Sequence, residues 1–483
     1  MTDPHYDRRW LILAVLGLAQ LMVVLDTTIV NIALPSAQAA LHFSDDSRQW
    51  IVTAYALAFG ALLLLGGRIG DFFGRKWTFI AGLGGFALAS AAGGAAGSFE
   101  VLVAARAAQG VFGALLAPAA LSLLSTTFTD HTERAKAFAV YGAIAGGGGA
   151  IGLLLGGVLT EYLSWRWCLY VNLAFALPTA IGALMLLHQE APATRPKLDV
   201  PGTLTASAGL FALVYGFTKA ETDGWGAAIT LGFLAAGVLL LAVFVAIQRR
   251  SPHPLLPLRV VLDRNRSGAY LAVGVVGAGM FGVFLFLTYY LQRTLGFTPV
   301  ETGLAFLPMV GALMITATGA STTILPRVGP RPLVAVGLML GAGGMALLTQ
   351  VGVHSTYAAD ILPGLLVIGL GLGLSMATAM GTATLGVQAS DAGVASAMVN
   401  TAQQIGGSLG TALLSTLAAS ATSAFVAGKS AGPAVMAEAA VHGYTTAFWW
   451  SAAIFAVGAG MCGLLMRAGV PRVAPAAEPV LVH

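Results

Sequence analysis

Charge is what this sequence has least of. Acidic and basic side chains make up only 9% of its 483 residues, against about 25% in an ordinary soluble domain. A chain so poor in charge cannot cover a water-facing surface, which excludes a soluble globular protein. Cysteine is nearly absent too. Cys168 and Cys462 fall near opposite ends of the apolar runs they belong to, which argues against a disulfide or a shared metal site. The eight histidines stand in loops or tails, too scattered for a metal cluster. Glycine patterns of the GxGxxG type lie inside apolar runs with no strand before them, and no phosphate-binding loop carries its lysine. Neither a nucleotide site nor ATP drive is expected, and no cofactor. No nucleophile or metal constellation suggests an enzyme. The longest polar connections, 188–200 and 248–267, leave no room for a soluble signalling domain.

What is present is apolar sequence in regular blocks. Hydrophobic residues make up 57% of the chain and the mean hydropathy is +0.84. Fourteen runs stand out: 10–33, 50–67, 78–97, 101–124, 138–160, 167–187, 201–218, 227–247, 268–291, 301–323, 332–351, 360–385, 393–420 and 445–467. Each is close to the ~20 residues a helix needs to cross ~30 Å of hydrocarbon. None shows the alternation of a barrel strand. The fold class is therefore an all-α membrane protein with 14 transmembrane helices. If the first residue starts inside, eighteen of the 24 basic residues fall in cytoplasmic segments and five outside, with Arg106 inside a span. That asymmetry places both termini in the cytoplasm. The formal charge of +4 thus reflects topology, and no nucleic-acid partner is implied. Arg8-Arg9, the first apolar run and SAQAA at 36–40 imitate a signal peptide, but the run is too long and contains Asp26. Arginine outnumbers lysine, and alanine and glycine abound, as in proteins of GC-rich bacteria. The expected location is the cell membrane, multi-pass, with the lipid bilayer as a partner.

The chain also repeats itself weakly. GGRIGDFFGRKWTFIAG at 66–82 follows the second run, and STTILPRVGPRPLVAVG at 321–337 follows the tenth, 255 residues later. Ile69 matches Ile324, Gly74 matches Gly329, Lys76 meets Arg331 and Gly82 matches Gly337, whereas Asp71 meets Pro326. This offset suits two six-helix halves with two extra spans between them. The expected division is 1–190, 191–266 and 267–483. Parallel repeats of this kind place a substrate site between the halves near mid-membrane.

Within the first run, VVLDTTIVNIALP at 23–35 carries a carboxylate where lipid is expected. An aspartate at the bilayer centre costs roughly 3 kcal/mol on insertion scales, so Asp26 must be shielded by partners or used for its charge. At 1.5 Å per residue Asp26 lies ~14 Å from the helix end near Pro35, and Arg106 lies ~9 Å from Glu100 on the fourth run. Comparable depth allows a buried pair, either purely structural or one whose proton comes and goes as the site is wetted and dried.

Four segments in order resemble the fourteen-span drug/proton antiporters of the major facilitator superfamily, over nearly the whole chain. LDTTIVNIALP (25–35) resembles their first-helix motif and GRIGDFFGRK (67–76) the loop after helix two. LVAARAAQGVFGA (102–114) resembles the helix-four motif, and GAIGLLLGG (149–157) with Gly148 the antiporter motif of helix five, followed by WRWCLYVN (165–172). The chain departs from the pattern at Leu153, where proline usually follows Gly152, and after Asn172, where proline is also usual. The resemblance implies a major facilitator fold of two six-helix bundles plus two helices. The function it implies is export of a small organic compound such as a drug or antibiotic, in exchange for protons, by a monomer. It implies proton coupling through Asp26 with Arg106, and a gating loop of Gly67, Gly70, Asp71, Gly74, Arg75 and Lys76. In that loop Gly70 and Gly74 would permit a tight turn and Asp71 would latch the inner side. Gly148, Gly152, Gly156 and Gly157 would form the antiporter motif; the run Gly146–Gly149 either bends helix five or lets another helix approach. Asn31, Tyr55, Gln109, Tyr141, Tyr289, Asn400 and Gln403 are candidates for the substrate cavity. An importer or uniporter of the same superfamily, or a non-transporting membrane sensor, remains an alternative.

Overall fold

In a computed structural model of the full chain, the structure describes residues 8–470 apart from 45–46, 129, 189–198, 253, 386, 388–391, 428 and 431. The described residues form long helices joined by short turns. In chain order they are α1 Arg9–Leu41, α2 Gln49–Phe73, α3 Arg75–Gly94, α4 Phe99–Thr127, α5 His131–Tyr162, α6 Trp167–Leu186, α7 Val200–Asp223 and α8 Ala228–Arg250. A one-turn helix, Leu258–Val261, leads to α9, which starts as Arg264–Gly282 and continues through π turns at Val283–Leu287 and Tyr290–Thr294. Then come α10 (Pro299–Gly319, extended by Ala320–Ile324 and Leu325–Val328), α11 Pro330–Leu348, α12 Leu362–Thr384 after a π turn at Tyr357–Ile361, α13 Ala392–Val426 and α14 Pro433–Leu465. Thirteen of these are long and apolar enough to cross a membrane; in the other, α2, the apolar stretch found is Gln49–Leu63.

Local chemistry sets the helix starts. Ser98 caps α4 by accepting from Val101 N–H, and Asp263 caps α9 through Asn265 and Arg266. Thr298 and Glu301 form a reciprocal capping box on α10, satisfying donors that the first turn leaves free. Proline in the first turn of α7, α10, α11 and α14 costs no hydrogen bond there. Several helices outrun the apolar runs of the sequence. α1 passes Pro35 to Leu41, and α14 begins at Pro433 instead of 445. Hydropathy senses only the hydrocarbon, whereas the helical ladder continues through polar ends such as Glu438 and His442.

The packing of α1–α6 is repeated by α9–α14. α1 packs on α5 and α6, α2 on α4, and α3 on α4 and α6; α9 likewise packs on α13 and α14, α10 on α12, and α11 on α12 and α14. Gly74 and Gly329 hold the same place in the two sets. With φ 89° and 81° they turn the chain from α2 into α3 and from α10 into α11. Gly82 and Gly337 also correspond: a Cβ on either would run into the backbone of Leu116 on α4 or of Gly371 and Ser375 on α12. The weak repeat of the sequence is thus a repeat of backbone constraints. The two sets meet along two seams, α5 against α10 and α2 against α13. The hairpin α7–α8 lies over the second. Ser207 Oγ donates to Ala61 O on α2 at 2.8 Å, and Thr416 Oγ1 on α13 reaches Phe217 O at 3.4 Å.

The loop expected at 67–76 is mostly helix. Gly67, Gly70 and Asp71 belong to the last turns of α2, and only Gly74 supplies a turn. A Cβ at Gly70 would meet nothing nearer than Thr78 Cγ2 at 3.9 Å, so Gly70 is not needed for a tight turn. Gly74→Ala is therefore expected to destabilise the detergent-solubilised protein by ~1–3 kcal/mol, the cost of a side chain in a glycine-only conformation. Gly70→Ala should change its melting temperature little. Equal melting temperatures for the two variants would contradict this assignment.

Candidate functional site

Asp26 lies in the middle of α1, fully buried, inside the α1–α6 set. Its Oδ2 accepts from Arg106 Nη1 of α4 at 2.6 Å. Its Oδ1 accepts from Gln109 Nε2 of α4 at 2.8 Å and from Asn172 Nδ2 of α6 at 2.7 Å. Arg106 also donates through Nε to Ile51 O on α2 at 3.1 Å and through Nη1 to Gln109 Oε1 at 3.0 Å. Its guanidinium stacks 4.4 Å above the ring of Tyr55, a cation–π contact in a desolvated setting. Ser90 of α3 completes the cluster: its hydroxyl accepts from Asn172 at 2.8 Å and donates to Leu169 O at 2.8 Å. Five helices therefore converge on one carboxylate. A small cavity of about 20 Å³, lined by apolar side chains of α1 together with Ile51, Leu102, Arg106 and Leu169, adjoins the arginine.

The helices are held at this distance by glycine. On α5, Gly148, Gly152 and Gly156 face α1 at four-residue spacing. A Cβ at Gly148 would crowd Leu21 and Val24, one at Gly152 Thr28, and one at Gly156 the backbone of Ile29 at 3.1 Å. Gly157 faces the other way, onto Pro299 and Val300 of α10, where Gly303 in turn meets the carbonyl of Leu153. The run Gly146–Gly149 does not interrupt the helix, which is α-helical from 131 to 162. Close approach accounts for Gly148, Gly152 and Gly156, and the backbone ladder passes Leu153 without proline.

At the end of the bundle that the basic-residue count places outside, the two sets are cross-linked. Tyr289 Oη donates to Gln38 Oε1 at 2.6 Å, and Gln292 Nε2 donates to Ile32 O at 3.1 Å. Arg48 lies 4.2 Å over the Tyr289 ring. Glu161 of α5 accepts from Val300 N–H at the start of α10 at 3.0 Å, an acid at the positive end of a helix. Near the opposite end, Lys76 Nζ donates to Leu184 O in the last turn of α6 at 3.1 Å, while Arg75 opens α3. The side chain of Asp71 lies outside the described residues. Arg68 reaches the inserted segment, donating to Pro254 O at 3.1 Å.

The seven cavity candidates therefore separate. Tyr55 and Gln109 belong to the Asp26 cluster, and Tyr289 to the cross-link between the sets. Tyr141 donates to Gln20 Oε1 at 2.7 Å, and Asn31 Nδ2 to Thr27 O on its own helix at 2.9 Å. Asn400 and Gln403 are half-buried on α13. Asn172, Ser90, Gln38, Arg48 and Arg68 were not among the sequence candidates. A polar residue inside a 20-residue apolar run was the available signal for Ser90 and Asn172.

Such a constellation inside a two-fold repeated helical bundle defines a membrane transporter. The Major Facilitator Superfamily family model matches residues 16–411, and the chain belongs to that family. Among curated proteins it is 50% identical over 466 residues to the puromycin resistance protein pur8 of Streptomyces alboniger, covering 96% of this chain and 92% of that protein. It is 39% identical to the cephamycin export protein CmcT of Amycolatopsis lactamdurans (84% of each). To the multidrug efflux pump LfrA of Mycolicibacterium smegmatis it is 33% identical, over 85% of this chain and 81% of that one. In fold it is similar to a bacterial homologue of the human lysosomal transporter Spinster in an inward-facing, unoccupied conformation. The TM-score there is 0.66 at 16% identity, over 96% of this chain and 98% of the other.

The α5–α10 seam allows a direct test. A methyl group at Gly157 would press on the backbone of Pro299 and Val300, at 2.7 and 2.8 Å from the nearest atoms, so Gly157→Ala is expected to wedge the outer end apart. In a background without Cys168 and Cys462, a cysteine introduced at Ser164 should then label faster from outside. Labelling no faster than in the parent, at equal abundance, would mean that this contact does not hold the end closed.

Proposed function

We propose that the protein is a proton-coupled efflux transporter that exports small amphipathic organic compounds across the cell membrane by alternating access. The bundles 1–190 and 267–483 are the moving bodies, both termini are cytoplasmic, and the monomer is the working unit. The observation that carries this reading is the burial of Asp26 and Arg106 as a pair among neutral hydrogen-bonding groups. A proton on Asp26 removes the negative partner of Arg106 and one acceptor position, so the network must rearrange. Coupling needs such a group, whose charge changes the packing of helices. Each proton entering across 100 mV releases ~2.3 kcal/mol before any pH gradient is added.

The relatives named for puromycin, cephamycin and multidrug efflux support a bulky organic substrate. With Asp26 the only acid deep inside a span among the described residues, neutral or weakly charged compounds fit at least as well as multiply charged cations. Asp71, Arg75 and Lys76 serve at the inner end, where Lys76 ties α3 to α6. The glycines at 148, 152, 156 and 157 let α5 slide between α1 and α10.

In the absence of Asp26 charge, Arg106 keeps the carbonyls of Ile51 and Gln109 and the Tyr55 ring, so Asp26→Asn should remain folded. Reconstituted in vesicles, this variant is expected to show no substrate-evoked proton flux. Cells carrying it should lose protection in a growth-inhibition panel, as wild-type cells do when an uncoupler is added. Wild-type export by Asp26→Asn across the pH range would place the coupling elsewhere.

A further inference from the structure

Asn172 has an arrangement that the antiport reading alone does not require. Its amide is fully buried, and Nδ2 spends both hydrogens, one on Asp26 Oδ1 at 2.7 Å and one on Ser90 Oγ at 2.8 Å. Its Oδ1 is buried with no hydrogen-bond partner among the described residues. An orphaned buried amide oxygen carries a penalty of the order of 1–3 kcal/mol, and native structures rarely leave one without reason. Beside it stands a hydroxyl that can reverse its role: Ser90 accepts from Asn172 and sends its own proton to Leu169 O.

We infer that Asn172 is a positioning residue that reads the protonation state of Asp26 by turning its amide through half a rotation about its last side-chain bond. An ionised carboxylate only accepts, so Nδ2 faces it. A carboxylic acid has a proton to give. With the amide turned, Asp26 O–H donates to Asn172 Oδ1, and Ser90 O–H swings from Leu169 O to the same oxygen. The oxygen that had no partner then has two, and Nδ2 gives up the two acceptors it had in the ionised state. No atom is gained apart from the one proton on Asp26. The consequence is mechanical and local: the Ser90–Leu169 bond between α3 and α6 is lost, while Lys76 still donates to Leu184 O near the other end of that contact. The titratable or charged groups facing the site are Arg106 on α4, Tyr55 on α2 and Cys168 on α6. Among the described residues α3 brings Ser90 and α5 its glycines.

This inference rests on Asp26 being the proton site, and the test separates the two. The chain has four asparagines, so isotope labelling of asparagine side-chain carbonyls gives a sparse infrared signal in the full-length protein in lipid. Difference spectra between acidic and alkaline pH are expected to show a carboxylic acid band together with a shifted asparagine carbonyl band. Asp26→Asn should lose the acid band, and Asn172→Leu the asparagine band alone. Asn172→Leu should also move the pH of half-maximal transport upward by up to about one unit, a tenfold change in proton affinity. Charge-assisted bonds are the stronger ones, so losing the donor to the ionised form outweighs losing the acceptor. An acid band with no asparagine companion in the wild type would overturn the switch, whether or not the variants fold. Absence of the acid band would overturn the proton site itself.

Discussion

A charge taken out of water must find its solvent inside the protein, and the pairing of Asp26 with Arg106 is where this molecule meets that demand. Removing one member of a buried pair commonly costs ~3–5 kcal/mol because the other is stranded. The surroundings of these two residues are correspondingly complete: Gln109 bridges acid and base, Ile51 lends a carbonyl, Tyr55 a ring face, and Asn172 an amide. The partners come from α2, α4 and α6. The register of α1 against α4 and α6 is therefore fixed by polar geometry, in a medium where apolar packing by itself selects no register. Membrane helices gain little from the hydrophobic effect once both are in lipid. Small residues make up the difference here, since Gly148, Gly152 and Gly156 bring α5 onto α1 beside the carboxylate.

Much of this was legible in the amino-acid order. Counting residues inward from Pro35 and from Glu100 put Asp26 and Arg106 at similar depth, because a helix rises by a constant amount per residue. The glycine at 74 was legible for the same sort of reason, as its counterpart at 329 has the same left-handed backbone. What could not be read was rotation. Asn172 stands among apolar residues near the start of α6, and nothing in its neighbours says that it faces α1. Tyr289 shows the difficulty most clearly. It sits between two π turns of α9, and each such turn holds one residue more than the ideal helix, which rotates the rest of the helix about its axis. A regular 3.6-residue wheel cannot foresee that its hydroxyl reaches Gln38 on the first helix. The chain end of α2 failed for another reason: charged residues and glycines suggest a loop, yet a helix leaving the hydrocarbon carries them without unwinding.

The two π turns also bear on motion. They lie where α9 meets α1 at the outer end, close to the Tyr289–Gln38 and Gln292–Ile32 bonds. π turns cost helix stability and gather where a helix must shift its register. Both turns pack on α14 of their own half, and Gln292 in the second bonds Ile32 of the other half, so part of the compliant stretch of α9 lies at a contact between the halves.

The hairpin α7–α8 has a geometric effect on the whole molecule. Two repeated halves joined face to face have two equivalent seams, and lipid borders both. Here α7 fills one of them, bonded to α2 and to α13, while α8 is the least covered of the apolar helices, with 17% of its span buried. The α5–α10 seam has no such cover among the described residues. The insertion thus destroys the molecule's pseudo-symmetry as seen from within the membrane. One flank is walled with protein and the other still borders the acyl chains. For a compound dissolved in the bilayer, the transporter has a front and a back.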